Sequence, residues 1–234
     1  MRNYLLILCI TISNILLSQN EYIDYRSSTN PLYWKNKKPY EGYWQQDVHY
    51  NIKAILNDSS DIISGQQELI YWNNSPYTIS YVYFHLFSNA QTKNSYAADL
   101  YKNNHYHLKF SKYRDAGKGT EVESIKSNNQ ELKTELDNTI LKVYLAKPLH
   151  PGEQTTFNIN FKTYFDQEAI RNRMKMFNSF GSKHYDIVHW YPRITVIDHK
   201  FGWNTDQHMD HEFYGDFGSF NIELTLPNNY ILNG

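Results

Sequence analysis

Cysteine is almost absent: the 234 residues contain one, Cys9, inside an N-terminal apolar segment. If that segment is cleaved, the remaining chain has no thiol, which excludes disulfides, thiolate metal sites and a cysteine nucleophile together. A surplus of charge is also missing, with 23 basic against 24 acidic side chains and a formal net charge of −1. Nucleic acid is held through a basic excess or stripe, so it is excluded as a main partner. The densest basic run, Arg171-Asn172-Arg173-Met174-Lys175, is short and reads as a solvated loop. There is no G-x-S-x-G nucleophile elbow. Gly117-Lys118-Gly119 has neither the spacing nor the following helix of a phosphate-binding loop. No segment keeps a 3.6-residue apolar period over several turns, and no fixed-length repeat occurs.

What is present begins with a targeting segment. Arg2 supplies a positive start, Tyr4 to Leu17 form an apolar stretch broken by Ser13 and Asn14, and Ser18 is a small residue ahead of polar Gln19 and Asn20. Residues 1–18 therefore read as a signal peptide, and the protein as exported, whether periplasmic, cell-surface or secreted. The apolar stretch is shorter than the ~20 residues of a membrane-spanning helix, so no span is expected in the mature chain, the alternative being a retained signal anchor. Residues 19–43 are polar and Tyr/Asn/Lys-rich, with Pro31 and Pro39, and read as an N-terminal arm.

From residue 44 onward the period becomes two. Val48, Tyr50, Ile52 and Ala54 alternate with His49, Asn51 and Lys53; Phe157, Ile159 and Phe161 alternate with polar neighbours; Phe220, Ile222, Leu224 and Leu226 alternate with Asn221, Glu223 and Thr225. Each pattern is that of a half-buried strand. Further strands are predicted over 68–72, 79–86 and 139–145, with turns at Ser64-Gly65, Asn73-Asn74-Ser75-Pro76 and Pro148 to Glu153. Ser95 to Asn103 is predicted as a short helix and Lys112 to Gly119 as an exposed loop. Many short strands at close spacing, with 41% apolar and 16% aromatic residues, indicate an all-β antiparallel sandwich over residues 44–234.

Three late segments carry a family likeness: His189-Trp190-Tyr191-Pro192-Arg193 with Asp198, then Phe201-Gly202-Trp203, then Glu212-Phe213-Tyr214-Gly215-Asp216-Phe217-Gly218 running into the last strand. With Ile63-Ser64-Gly65, Tyr83-Phe84-His85-Leu86 and Pro148 to Glu153, their order resembles the N-terminal β-domain of the aminopeptidase N family of zinc peptidases, secreted bacterial type. The resemblance implies a saddle-like sheet domain that shapes a peptide cleft and packs on a catalytic domain of the same parent protein. In that family the zinc motif H-E-x-x-H lies downstream, on a helix of the second domain. The sequence to Gly234 holds no such motif, so zinc is expected in that catalytic domain and no catalytic or metal residue is assigned here. The alternative is a stand-alone secreted β-sandwich module that binds a glycan or a protein.

Other constellations have plainer readings. His208-Met209-Asp210-His211-Glu212 has its histidines three apart and Glu212 after the second, which is not the helical zinc spacing. His105-Tyr106-His107 would put two imidazoles on one strand face, as an exposed pair. Trp34, Trp44, Trp72, Trp190 and Trp203 would suit sugar stacking if exposed, and core packing if not. His189 is the one residue assigned to substrate. The resemblance places it where the family commonly has a Gln that helps hold the substrate α-amino group. A neutral imidazole can accept from an ammonium there, whereas a protonated one repels it. The edge from His189 to Trp203 is expected to expose aromatic area when nothing covers it.

Overall fold

The computed structural model describes residues 25–37, 40–167, 173–209 and 213–233. Residues 1–18, expected from the sequence to be a signal peptide, and Asp210 to Glu212 lie outside the described residues. The chain divides into two compact units, Met1–Gln45 and Gln46–Gly234. In the first, turns and a 3-10 turn at Trp34–Asn36 are held by edge-to-face rings, Tyr25 on Tyr33, Tyr33 on Trp34, and Tyr43 on both Trp34 and Tyr40.

The second unit carries the strands β1 (Asp47–Asn57), β2 (Ile62–Trp72), β3 (Ile79–His85), β4 (Thr120–Ser127), β5 (Gln130–Glu131), β6 (Thr134–Asp137) and β7 (Ile140–Leu149). They are followed by β8 (Gln154–Tyr164), β9 (Met174–Ser179), β10 (Ser182–Ile187), β11 (Arg193–Ile194), β12 (Ile197–Asp198), β13 (Gly202–Trp203) and β14 (Gly218–Thr225). A six-stranded sheet runs β14-β1-β2-β8-β4-β5 and a four-stranded sheet runs β11-β3-β7-β6. One core joins their inner faces, in which Phe84 of β3 meets Phe157 of β8 edge-to-face at 5.7 Å. This is an all-β sandwich. Its sheets are antiparallel except at β14, which runs parallel to β1 from Val48↔Gly218 to Ile55↔Thr225.

Alternation places the core as the sequence suggests. Val48, Tyr50, Ile52 and Ala54 of β1 and Phe157, Ile159 and Phe161 of β8 are all buried. Four local expectations are corrected. Ser64-Gly65 is not a turn but lies inside β2, and the chain instead turns at Asp58 to Asp61. Gly65 is needed because a Cβ there would meet the Phe161 ring at 2.3 Å. The stretch from Lys112 is not an exposed loop: it opens with a helical turn, α2 (Lys112–Asp115), after the helix α1 (Tyr96–Asn103). Its Arg114 is buried and donates from Nη1 to Ser88 and from Nη2 to the Met174 carbonyl. Lys175 is not in a solvated loop but is buried in β9, 3.7 Å from Asp186. Finally, His105 and His107 lie outside any strand, both exposed, with His105 at φ 63°.

Candidate functional site

Three buried polar side chains on the inner face of the large sheet hold the segment from Trp190 to Ile194. The Tyr50 hydroxyl accepts from Ile194 N at 3.1 Å, Gln67 Nε2 donates to the Pro192 carbonyl at 2.9 Å, and Thr163 Oγ1 donates to the Trp190 carbonyl at 2.6 Å. A backbone that leaves the sheet inside a core must find such partners, because an unpaired buried carbonyl or N–H costs about 1–3 kcal/mol. The segment then pairs with β3, Arg193 opposite His85 and Ile194 opposite Phe84.

The same segments close on one another. The Arg193 guanidinium lies directly on Gly215, where any Cβ would fall 1.8 Å from Nη2. Asp198 accepts from Lys200 N and Phe201 N through Oδ1, and from the Tyr214 hydroxyl through Oδ2 at 3.0 Å. Strands β12 and β13 pair Ile197 with Trp203 and Asp198 with Gly202. Trp203 in turn packs edge-to-face on Tyr83 at 5.6 Å.

His189 stands at the entrance to this knot with φ 51°, the left-handed region that non-glycine residues seldom occupy. It belongs to a cluster of rings around Phe87. Phe87 meets His85 at 4.7 Å, His189 at 4.8 Å, His208 at 5.4 Å and Phe213 at 4.7 Å, while His189 and Phe213 lie 3.7 Å apart. Burial lowers His189 to about 4, and the Arg193 charge adds to it. Burial likewise lowers His85 to about 4. Both imidazoles are therefore neutral near pH 7, with lone pairs that can accept. Behind them, burial raises Asp216 to about 7 against the pull of Arg193. Asp216 is only partly buried as a residue, but its Oδ2 is shut off from solvent and has no hydrogen-bond partner among the described residues.

The fold thus brings His189, His208 and Phe213 together and leaves His105 and His107 apart from them. His85, Phe87, Arg193 and Asp216 join the cluster without having been singled out for it in the sequence. The signal for His85 was the Tyr83-Phe84-His85-Leu86 segment, which stops one residue short of Phe87. Among the described residues, no group of three or more His, Cys, Asp or Glu side chains is placed to hold a metal ion. No step through a metal is derived from the described residues. Among the described residues no helix is long and apolar enough to cross a membrane. None of the five tryptophans is fully exposed: Trp44 and Trp190 are buried, and Trp34, Trp72 and Trp203 are half-buried. The aromatic expected at the uncovered edge is Phe201, exposed at 73%, rather than the half-buried Trp203.

No protein-family model and no curated protein matches the sequence. Among solved structures, the chain is similar to an M1 zinc metallopeptidase from Deinococcus radiodurans, at 15% identity over 78% of this chain and 33% of that one, with a TM-score of 0.45. It is similar also to a two-domain M1 zinc metallopeptidase variant bound to L-tryptophan, at 16% identity over 80% of this chain and 34% of that one, with a TM-score of 0.45. The chain spans about a third of the length of the solved structures that it matches.

Proposed function

We propose that this chain is the non-catalytic N-terminal β-domain of an exported aminopeptidase N-like zinc peptidase. It would shape one wall of the peptide cleft and pack against a catalytic domain that carries the zinc. One observation supports this reading above the others. The separate segments that carry the family likeness account for one another in space, through Arg193 on Gly215, Tyr214 on Asp198 and Trp203 on Tyr83. A chance string of short motifs would not close into a single knot.

In this reading His189 meets the substrate α-amino group. It serves as a hydrogen-bond acceptor because burial keeps its imidazole neutral down to a pH of about 4. The test extends the protein with the coding sequence that follows codon 234 and assays an amino-acid arylamide in the presence of zinc. The expected product contains H-E-x-x-H and releases the arylamine. In it, His189→Gln changes KM for substrates with a free amino terminus and leaves the shape of the pH profile between 5 and 7 as in the wild type. A following sequence without the motif, or a product that gives identical KM values for the two variants, would overturn respectively the domain assignment or the role of His189.

A further inference from the structure

The outward face of the large sheet carries an array that neither the fold nor the peptidase reading uses. Register places Asn221, Asn51, Glu68 and Asn158 side by side across β14, β1, β2 and β8. The next row is Glu223, Lys53, Gln66, Asn160 and, on β4, Ser124. Directly opposed side chains in such rows stand about 5 Å apart. An open depression of about 230 Å³ lies over these rows, lined by Asn51, Lys53, Gln66, Glu68, Asn158 and Asn160.

Two properties separate this face from an ordinary solvated one. The first is its residue choice. Asn is depleted in strands because it fits a pleated surface poorly. Yet four of the eight residues in those two rows of β14, β1, β2 and β8 are mid-strand asparagines: Asn51, Asn158, Asn160 and Asn221. A local rule broken on a surface, with no packing in return, points to function. The second property is its charge. Lys53 pairs with Glu223 at 3.3 Å, Lys126 with Glu131 at 3.8 Å, and Lys162 with Glu123. Asn160 Nδ2 donates to Ser124 Oγ at 3.0 Å, whereas the side chains of Asn51, Gln66 and Asn158 make no hydrogen bond among the described residues. What remains is a concave field of neutral amides, each offering a carbonyl acceptor beside two N–H donors, with the Glu68 carboxylate as a further acceptor among them.

We propose that this depression binds a neutral polyhydroxylated chain, an oligosaccharide, through its amides. A hydroxyl both donates and accepts, so rows of amides complement it without ionic partners. The proposal does not depend on the peptidase reading. It also places any glycan on the sheet face rather than on the tryptophans.

The test is affinity gel electrophoresis of the full chain through soluble starch, laminarin, xylan and galactomannan, at low salt and in 1 M NaCl. At least one of the four polysaccharides is expected to retard the chain, equally at both salt concentrations, because neutral hydrogen bonds are not screened. The triple variant Asn51→Thr, Asn158→Thr, Asn160→Thr is expected to lose about tenfold or more in apparent affinity. Because Thr suits a strand better than Asn, its Tm should hold or rise. No retardation by any of the four, retardation abolished by salt, or retardation unchanged in the triple variant would overturn the proposal. A fall in Tm would overturn it as well, since the asparagines would then serve the fold.

Discussion

At the scale of single residues, the large sheet depends on a fit between a missing side chain on β2 and a large one on β8. Gly65 leaves the space that the Phe161 ring fills, and Phe161 is fully buried. Phe161→Ala is expected to cost about 3–5 kcal/mol in urea denaturation, the usual cost of emptying a buried aromatic site. Gly65→Ala is expected to cost about 1–3 kcal/mol, because its Cβ overlaps a ring held on all sides. If that overlap is the cause, Phe161→Leu, which withdraws the ring edge, makes the cost of Gly65→Ala fall below about 0.5 kcal/mol. Additive effects of the two substitutions would show that Gly65 serves some other need.

Among the elements, the β9–β10 hairpin carries a residue at odds with its place. Ser179 pairs with Ser182, so the loop has two residues, Phe180 and Gly181, at φ 50° and 76°. A two-residue hairpin with both central residues left-handed favours Asn-Gly or Gly-Gly. Phe180 meets that geometry as a bulky side chain and is fully exposed, so it returns no packing energy. Phe180→Asn is therefore expected to raise stability by about 0.5–1 kcal/mol, read as a higher Tm. A loss of stability would show that the Phe180 ring makes a contact in solution. The last strand is a second such case. β14 alternates as a half-buried strand should, yet as the sheet's edge it leaves Phe220 and Ile222 exposed at 42% and 52%. An edge strand has a neighbour on one side only, so period two there does not guarantee burial.

For the whole molecule, pH sets two opposed dependences. His85 and His189 titrate near 4 when folded and near 6.5 when unfolded. Between those values the unfolded chain holds more protons, so this pair lowers stability as pH falls from about 6.5 to 4. Asp216 titrates near 7 when folded and near 3.9 when unfolded. Here the folded chain holds more protons, so Asp216 lowers stability as pH rises from about 4 to 7. Asp216→Asn removes only the second dependence. Its stability relative to the wild type should improve between pH 5 and pH 8 by about 1 kcal/mol, a figure discounted for the partial exposure of the residue. Urea midpoints at pH 5 and pH 8 read it directly. A difference independent of pH would mean that Asp216 is ionised throughout.

The sequence by itself determined the class of fold and most of the core. The alternation of Val48, Tyr50, Ile52 and Ala54, and of Phe157, Ile159 and Phe161, is local information, and a strand period written in the chain needs no partner to be read. Its order of short motifs also pointed to the region around His189. What it did not determine was anything set by residues distant in the chain. Ser64-Gly65 had the composition of a turn, and only the ring of Phe161, opposite it on β8, makes that glycine part of a strand. Arg114 read as solvated because a charge is normally exposed. Its burial depends on Ser88 and Met174, which the fold delivers from elsewhere. The neutral state of His189, its contact with Phe87 and Phe213, and the parallel seat of β14 beside β1 likewise follow from tertiary packing. Local pattern fixes which face of a strand turns inward, but desolvation and close approach depend on what the rest of the chain places against it.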